Sequence, residues 1–361
     1  MEIKEITEGE TRLLIPSKRK ITKKDVVFYN PHMELNRDLS VSITRVLKPG
    51  RFCDLLSGTG ARGLRVCAEG RVKHVLLNDA NPNAVELIKK NAEINNLDVE
   101  ITNREAGSLL AEERFDFIDV DPFGPPVAFV DSAVRALENN GVLAVTATDT
   151  SALCGTYPRA CRRKYDSLSL RTDYYNEVGL RTLLGYVIRV GLGYNVSFRP
   201  LFSHCTRHYF RAYFRGERSR RACNESLKHL VYLQHCFSCL NRGYSSLDGL
   251  LERCECGHEF ANAGPLWSGV FADKEFCSGV MKELGFSEKG LELVDLVRGE
   301  QDITNPYYNI HRVFHKRGMP TRPTSELIDS LLGIGFRAVR THFSGLGLRT
   351  DAPVKEIYDI L

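Results

Sequence analysis

No stretch of the 361 residues approaches the ~20 consecutive apolar residues that a membrane-spanning helix needs. The first six residues, MEIKEI, are half charged, so we expect no secretory signal peptide. The chain has no internal repeat and little net charge, +4 from 49 basic and 45 acidic residues. Its 43% hydrophobic and 26% charged residues are ordinary for globular proteins, which excludes the disordered, collagen-like and coiled-coil classes. We therefore expect a cytoplasmic protein with two domains.

Positive charge is concentrated on two segments of the chain. Arg199–Arg221 contains seven arginines and one acid, whereas Arg159–Arg171 contains four arginines and a lysine against one aspartate. Such clustering is expected of a surface that binds phosphates, although solvated domain edges show it too. The two segments therefore indicate a nucleic-acid partner without establishing one.

Eleven cysteines is a high and odd number for a chain without an export signal, which argues against a disulfide framework. Four of them form two close pairs: Cys236 and Cys239, then Cys254 and Cys256. Two thiolate pairs separated by a loop predict a structural zinc site. The second pair has a one-residue spacer, so a thiolate replaced by His235 or His258 stays open, as does a small core of reduced cysteines.

Residues 51–150 alternate short apolar runs with helical runs, which is typical of βαβ units and a parallel sheet. Five strands are predicted in this region. A helix and a closely spaced antiparallel strand pair follow, over 176–190, 195–202 and 208–214. The sequence therefore predicts an α/β domain, 1–222, built on a seven-stranded Rossmann-like sheet.

Near residue 222 the pattern changes to cysteine-bearing loops. Short helices are predicted at about 275–284 and 324–332, and a strand at about 336–343. We interpret 223–361 as a smaller α+β domain.

A glycine-rich turn follows the first predicted strand, where Asp54–Gly63 has the sequence DLLSGTGARG. Glycines allow a ligand to approach the backbone closely, and the start of the next helix offers unpaired N–H groups. Asp79 lies about 20 residues later, after the second strand, where an acid binds ribose hydroxyls. Glu105 and Ala106 end the third strand, at the expected position of an adenine. The pattern also matches a dinucleotide site, but the fourth strand favours S-adenosylmethionine.

That fourth strand ends with Asp119–Pro126, DVDPFGPP. The segment places a carboxylate, Asp121, and an aromatic ring, Phe123, beside the cofactor crevice. This combination suits methyl transfer to an amine conjugated to a nucleobase, because the carboxylate accepts its N–H groups and the ring stacks on the base. A structural turn, or a metal site shared by Asp119 and Asp121, remains the alternative.

Several of these motifs together resemble the tRNA (guanine-26-N2)-dimethyltransferases in their shorter archaeal-like form. The resemblance runs nearly end to end and includes VFYNP at 27–31, NRD at 36–38, TGARG at 59–63, DPFG at 121–124 and RTDAP at 349–353. It implies a class I methyltransferase domain, a family-specific C-terminal domain, S-adenosylmethionine as cofactor and tRNA as partner, with no membrane or protein partner. Non-catalytic RNA binding and methylation of DNA or protein amines are the alternative functions.

The resemblance also implies roles for individual residues. Asp121 would be the catalytic acceptor, and Phe28 and Phe123 would sandwich the target guanine. The cofactor would contact five residues, Arg37, Arg62, Asp79, Glu105 and Ala106, with Arg37 at its carboxylate. Glu105 replaces an aspartate common in the family. The arginines of both basic segments are candidates for tRNA phosphates.

Overall fold

The computed structural model describes residues 2–17, 26–285 and 287–361. Its strands are β1 (Ile3–Glu8), β2 (Thr11–Pro16), β3 (Arg51–Asp54), β4 (His74–Asn78), β5 (Glu100–Thr102), β6 (Phe115–Val120), β7 (Leu137–Ala147), β8 (Val196–Thr206), β9 (Tyr209–Arg218), β10 (Leu230–His235), β11 (Arg242–Ser245), β12 (Ala261–Trp267), β13 (Tyr308–Asn309), β14 (Ala338–Thr341) and β15 (Ser344–Thr350).

The α-helices are α1 (Glu34–Leu47), α2 (Ala61–Ala68), α3 (Pro82–Ile94), α4 (Ala106–Glu112), α5 (Val127–Ala136), α6 (Thr150–Leu153), α7 (Pro158–Tyr165), α8 (Tyr175–Gly193), α9 (Arg220–Leu227), α10 (Lys274–Glu283), α11 (Glu288–Gly299), α12 (Ile310–Lys316), α13 (Thr324–Gly333) and α14 (Val354–Asp359). Short 3-10 turns cover Pro31–Met33, Leu247–Gly249 and Glu300–Asp302. Within the described residues, no helix combines the length and apolar character that crossing a membrane requires.

The central sheet has seven strands in the order β5-β4-β3-β6-β7-β9-β8, which confirms the predicted fold class. The strands from β5 to β7 are parallel, and β9 runs antiparallel to both β7 and β8. Parallel strands need crossover helices, and those that join them here leave their carboxyl ends at one edge. The turn between β8 and β9 lies at that same edge, because β8 runs in the direction of β7.

Helices cover both faces of this sheet. On β9, the Tyr213 hydroxyl shares a hydrogen bond with Ser40 of α1 at 3.0 Å. The neighbouring Phe210 instead packs against Gly179 of α8, where a Cβ would lie 2.7 Å from its ring. Since side chains alternate between faces along a strand, α1 and α8 lie on opposite faces.

The N-terminal hairpin of β1 and β2 was not among the predicted elements. Glu8, at the end of β1, is buried, and its carboxylate meets Arg65 of α2 at 2.9 Å. Amide groups of α3 support β2, since Asn91 Oδ1 accepts from the Leu14 N–H at 2.7 Å. The hairpin is thereby attached to the helices that follow β3 and β4.

The C-terminal half forms two small antiparallel sheets, β11-β10-β12 and β13-β15-β14. The strand predicted near 336–343 corresponds to β14, and the chain then turns and forms the hairpin β14–β15. The main hydrophobic core contains residues from both halves, including Leu266, Phe271 and Val297, whereas a second core lies around Val313 and Leu348. The domain boundary near 222 stays a prediction.

Candidate functional site

A cavity of about 560 Å³ lies at the carboxyl edge of the central sheet. Its walls come from the glycine-rich turn after β3, the Asp121–Phe123 segment after β6, Thr148 after β7, the turn between β8 and β9, and the segment that leads into α1. Ligands of open α/β sheets bind at this edge, and the volume is typical of sites for small molecules.

The glycine-rich turn is held against the neighbouring strand end by Asp79. One carboxylate oxygen of Asp79 accepts from the Gly58 N–H at 2.8 Å, and the other accepts from the Asn81 N–H at 2.9 Å. Gly58 has a φ of +56°, and a Cβ there would lie 2.9 Å from the Phe28 carbonyl oxygen. Only glycine fits this close approach, and α2 begins next to it, with its Gly63 N–H donating to the Asp54 carboxylate at 3.0 Å. The N–H groups of Ala61 and Arg62 lie in the first turn of α2, have no intrahelical acceptor and are available to a ligand in the cavity, as a nucleoside cofactor requires.

Two buried arginines hold the two carboxylates at the end of β6, Asp119 and Asp121. Arg211 of β9 binds both oxygens of Asp119, at 3.0 and 2.5 Å, and donates to Thr146 of β7 at 2.9 Å. Arg62 of α2 pairs with Asp121 and is held in turn by Ser40. Asp119 and Asp121 therefore both have basic partners. Arg211 is fully buried, so this candidate of the basic segment does not face a tRNA phosphate.

Asp121 and Asp54, which both line the cavity, have pKa values shifted in opposite directions. Burial favours the neutral form of Asp121, yet the Arg62 and Arg211 guanidiniums hold the pKa of this carboxyl below its usual range. Burial raises the pKa of Asp54 to about 7, with a further contribution from the charge of Asp119. At neutral pH, Asp121 is therefore ionised and able to accept an N–H bond.

Phe28 and Phe123 come together at the cavity. Their ring centroids lie 5.2 Å apart and their planes meet at 87°, so the rings contact each other edge to face. Both are large apolar side chains with considerable exposure, 37% and 49%. A base between two parallel rings needs about 7 Å, twice a van der Waals contact. The predicted sandwich stays a prediction and requires one ring to rotate.

Arg37 lines the cavity, but its guanidinium is engaged by a residue that sequence reasoning missed. Glu8 binds it through both carboxylate oxygens, at 2.5 and 2.6 Å, and also accepts from the Tyr29 hydroxyl at 2.8 Å. Burial opposes ionisation of Glu8, but the hydrogen bonds and charge of Arg37 lower its pKa. No local motif marks Glu8, because its partners lie far along the chain. The contact of Arg37 with a cofactor carboxylate remains a prediction.

Glu105 and Ala106 lie where the chain leaves β5. The exposed Glu105 caps α4, since its carboxylate accepts from the Ser108 N–H at 2.8 Å, and hydrogen bonds from the Gly107 and Ser108 backbone lower its pKa. Ala106 is buried at the first position of that helix. Within the described part of the chain, neither residue lines the cavity, nor does Asp79. Their predicted cofactor contacts remain untested.

The four clustered cysteines meet in the C-terminal half: their Sγ atoms all lie within 4.8 Å of one another. Cys236 lies 3.5 Å from Cys256, and Cys239 lies 3.5 Å from Cys254, measured between Sγ atoms. Tetrahedral zinc with bonds of about 2.3 Å requires sulfurs about 3.8 Å apart, so the cluster fits this ion. The ring of His235 packs edge-on against Phe237 instead.

The sheet order, with one antiparallel strand pair beside five parallel strands, and the cavity beside a glycine-rich turn together define a Rossmann-like methyltransferase fold. Residues 9–361 match the sequence family described as N2,N2-dimethylguanosine tRNA methyltransferase, TRM. The chain belongs to this family.

Individual relatives are similar to this chain over almost their whole length. The tRNA (guanine(26)-N(2))-dimethyltransferase of Methanopyrus kandleri is 41% identical, covering 100% of this chain and 97% of the relative. The enzyme of the same name from Methanothermobacter thermautotrophicus is 40% identical, covering 99% and 98%. The solved structure of Trm1 from Pyrococcus horikoshii, a complex with S-adenosyl-L-methionine, has a TM-score of 0.90 and 33% identity and covers 99% of both chains.

Proposed function

We propose that the protein transfers methyl groups from S-adenosylmethionine to the exocyclic N2 of guanine 26 in tRNA, first one and then a second. Family membership and full-length relatives named for this reaction support the proposal. The observation that carries it is the position of Asp121 in one cavity with the glycine-rich turn and the Phe28–Phe123 pair. Because the substrate is tRNA, the cytoplasm is the expected compartment.

Different residues of the chain would bind the cofactor, accept the proton and hold the base. The glycine-rich turn and the start of α2 would hold the cofactor, whose sulfonium supplies the methyl group. The N2 lone pair is delocalised into the guanine ring, so N2 is a weak nucleophile. Asp121 would accept an N–H of the amine, localise that lone pair and receive the proton that leaves on methylation. Phe28 and Phe123 would hold the base, which must leave the tRNA stack to reach the cavity.

Replacing Asp121 tests whether this carboxylate is the proton acceptor. Asp121→Asn keeps the shape of the side chain but removes its charge, and Asp121→Ala removes the carboxyl group altogether. We expect methylated guanosine in treated tRNA, measured by nucleoside mass spectrometry, to fall at least 100-fold in both variants, within the usual range for loss of a general base. Calorimetric binding of S-adenosylmethionine should persist. Turnover close to that of the unsubstituted enzyme would rule out the acceptor role.

The cysteine cluster would hold a structural zinc ion with four thiolate ligands. A closed set of four protein ligands leaves no position for a catalytic water. Its contribution is therefore to the folding of the segment between β10 and β12, not to methyl transfer.

A further inference from the structure

The turn between β8 and β9 places positive charge at the rim of the cavity. Arg207 and His208 form this turn, are exposed, and line the cavity together with His32. The Arg207 guanidinium donates to Nδ1 of His32 at 2.6 Å. A guanidinium only donates, so His32 Nδ1 is the acceptor in this contact. Among the described residues, no carboxylate pairs with Arg207.

The backbone of Arg207 is strained. Its φ of +53° lies in the left-handed region, which is unfavourable for a residue with a Cβ. Glycine or asparagine adopts this conformation with less strain. A long cationic side chain at such a position, directed along the rim toward the His32 ring, indicates that the side chain has a function of its own.

The topology places Arg207 on the acceptor side of the site. Across the sheet, the glycine-rich turn follows β3, Asp121 follows β6, and the Arg207 turn begins beyond β7. Neighbouring strands are about 4.8 Å apart, so β3 and β9 are separated by about 14 Å. Asp121 therefore lies between the cofactor turn and Arg207, and an anion bound by Arg207 would belong to the methyl acceptor.

We propose that Arg207, assisted by His32 and His208, binds a backbone phosphate of tRNA beside the target guanosine; this rests on the proposed function. A base extruded into the cavity keeps its phosphates outside, at the rim. An exposed guanidinium without a carboxylate partner recognises such a phosphate through charge-assisted hydrogen bonds. The contact orients the nucleotide and does not read its base. The carboxylate of the cofactor is the competing anion, and its predicted partner is Arg37 rather than Arg207.

Arg207→Asn tests the assignment, because asparagine tolerates the left-handed backbone but carries no charge. We expect KM for tRNA to rise roughly tenfold, with kcat nearly unchanged, as for the loss of one charge-assisted contact. The slope of log kcat/KM against log salt concentration should become shallower by about 0.7–0.9. The dissociation constant of S-adenosylmethionine, measured by calorimetry, should stay the same. Arg207→Lys should recover part of the tRNA affinity.

Arg71→Asn is the matched control. Arg71 is also exposed and has a φ of +59°, but it precedes β4 and so lies at the opposite edge of the sheet. This variant removes the same charge from the same backbone conformation. It should keep the unsubstituted enzyme's KM for tRNA and its salt dependence.

Two results would overturn the proposal: an Arg207→Asn enzyme with unchanged KM and salt slope, or one that loses affinity for S-adenosylmethionine instead of tRNA. Binding of purified tRNA to the intact protein, followed by fluorescence anisotropy, separates this proposal from the proposed function. If the unsubstituted protein binds tRNA without methylating it, the proposed function fails, while weaker binding by Arg207→Asn still supports the phosphate contact.

Discussion

Arg62 and Asp121 show how one residue controls the chemistry of another at this site. Arg62 is buried among Asn36, Ser40 and the strand-end aspartates, and it pairs with Asp121 at the cavity wall. The pairing favours an ionised Asp121, but it also makes this carboxylate a weaker base. An amine that approaches Asp121 must share the carboxylate with Arg62. Arg62 positions the Asp121 carboxylate through this pair. Its predicted contact with the cofactor would be a second role.

The raised pKa of Asp54, at the same site, predicts that the stability of the folded protein depends on pH. Its pKa of about 7 lies above the ordinary value near 4, so the folded state binds this proton more tightly than the unfolded state does. The associated stability is present below about pH 4 and is lost as the pH rises through about 7. Asp54→Asn retains an oxygen for the Gly63 N–H, which Asp54 now binds at 3.0 Å. We expect its melting temperature, relative to that of the unsubstituted protein, to increase from pH 5 to pH 8.

Asp98→Asn, at an exposed aspartate, serves as the control for this comparison. Its melting temperature should follow that of the unsubstituted protein over the same pH range. If the difference between Asp54→Asn and the unsubstituted protein stays constant from pH 5 to pH 8, Asp54 does not titrate in this interval.

At the scale of elements, the sequence predicts the features that follow from a local residue pattern. Strands followed by helices indicate the sheet, and the segments after β3 and β6 place Gly58 and Asp121 at its carboxyl edge. Glu8 and Arg211 could not be found in this way, since the partners of each lie at least 21 residues away. In an amphipathic strand, a buried arginine has the same pattern as an exposed one. Only the position of Asp119 across the sheet decides between them.

The zinc segment is an element whose stability should depend on its ligands. The backbone carbonyl oxygen of Cys239 accepts from the Tyr358 hydroxyl of α14 at 3.1 Å. The adjacent Leu240 belongs to the second core. Cys254→Ser should reduce bound zinc, measured by atomic emission, from about one ion per chain to a small fraction. It should also lower the melting temperature, because metal binding contributes to folding. Cys67→Ser, outside the cluster, should retain its zinc. Full zinc content in Cys254→Ser would contradict the four-thiolate site.

At the scale of the whole molecule, a buried ion network joins the C-terminal sheet to the methyltransferase fold. Arg349 of β15 binds Glu177 of α8 at 2.9 Å and Glu300 at 2.8 Å, and all three side chains are almost completely buried. Arg181 adds a second contact to Glu177 at 2.9 Å. The network reaches across the predicted domain boundary. The two halves therefore share both an apolar core and a set of interdependent charges.

Arg349→Met tests whether the halves unfold together. The substitution removes a positive partner from the buried carboxylates of Glu177 and Glu300. Loss of one partner of a buried ion pair costs about 3–5 kcal/mol of stability in typical proteins. Arg337→Met, which removes an exposed pair with Asp351, should cost about 0–1 kcal/mol. Because the main core is continuous across residue 222, we expect the urea midpoint of Arg349→Met to fall as one transition, with near- and far-ultraviolet circular dichroism coinciding. Two separate transitions would mean that the C-terminal half folds on its own and that Arg349 only docks it.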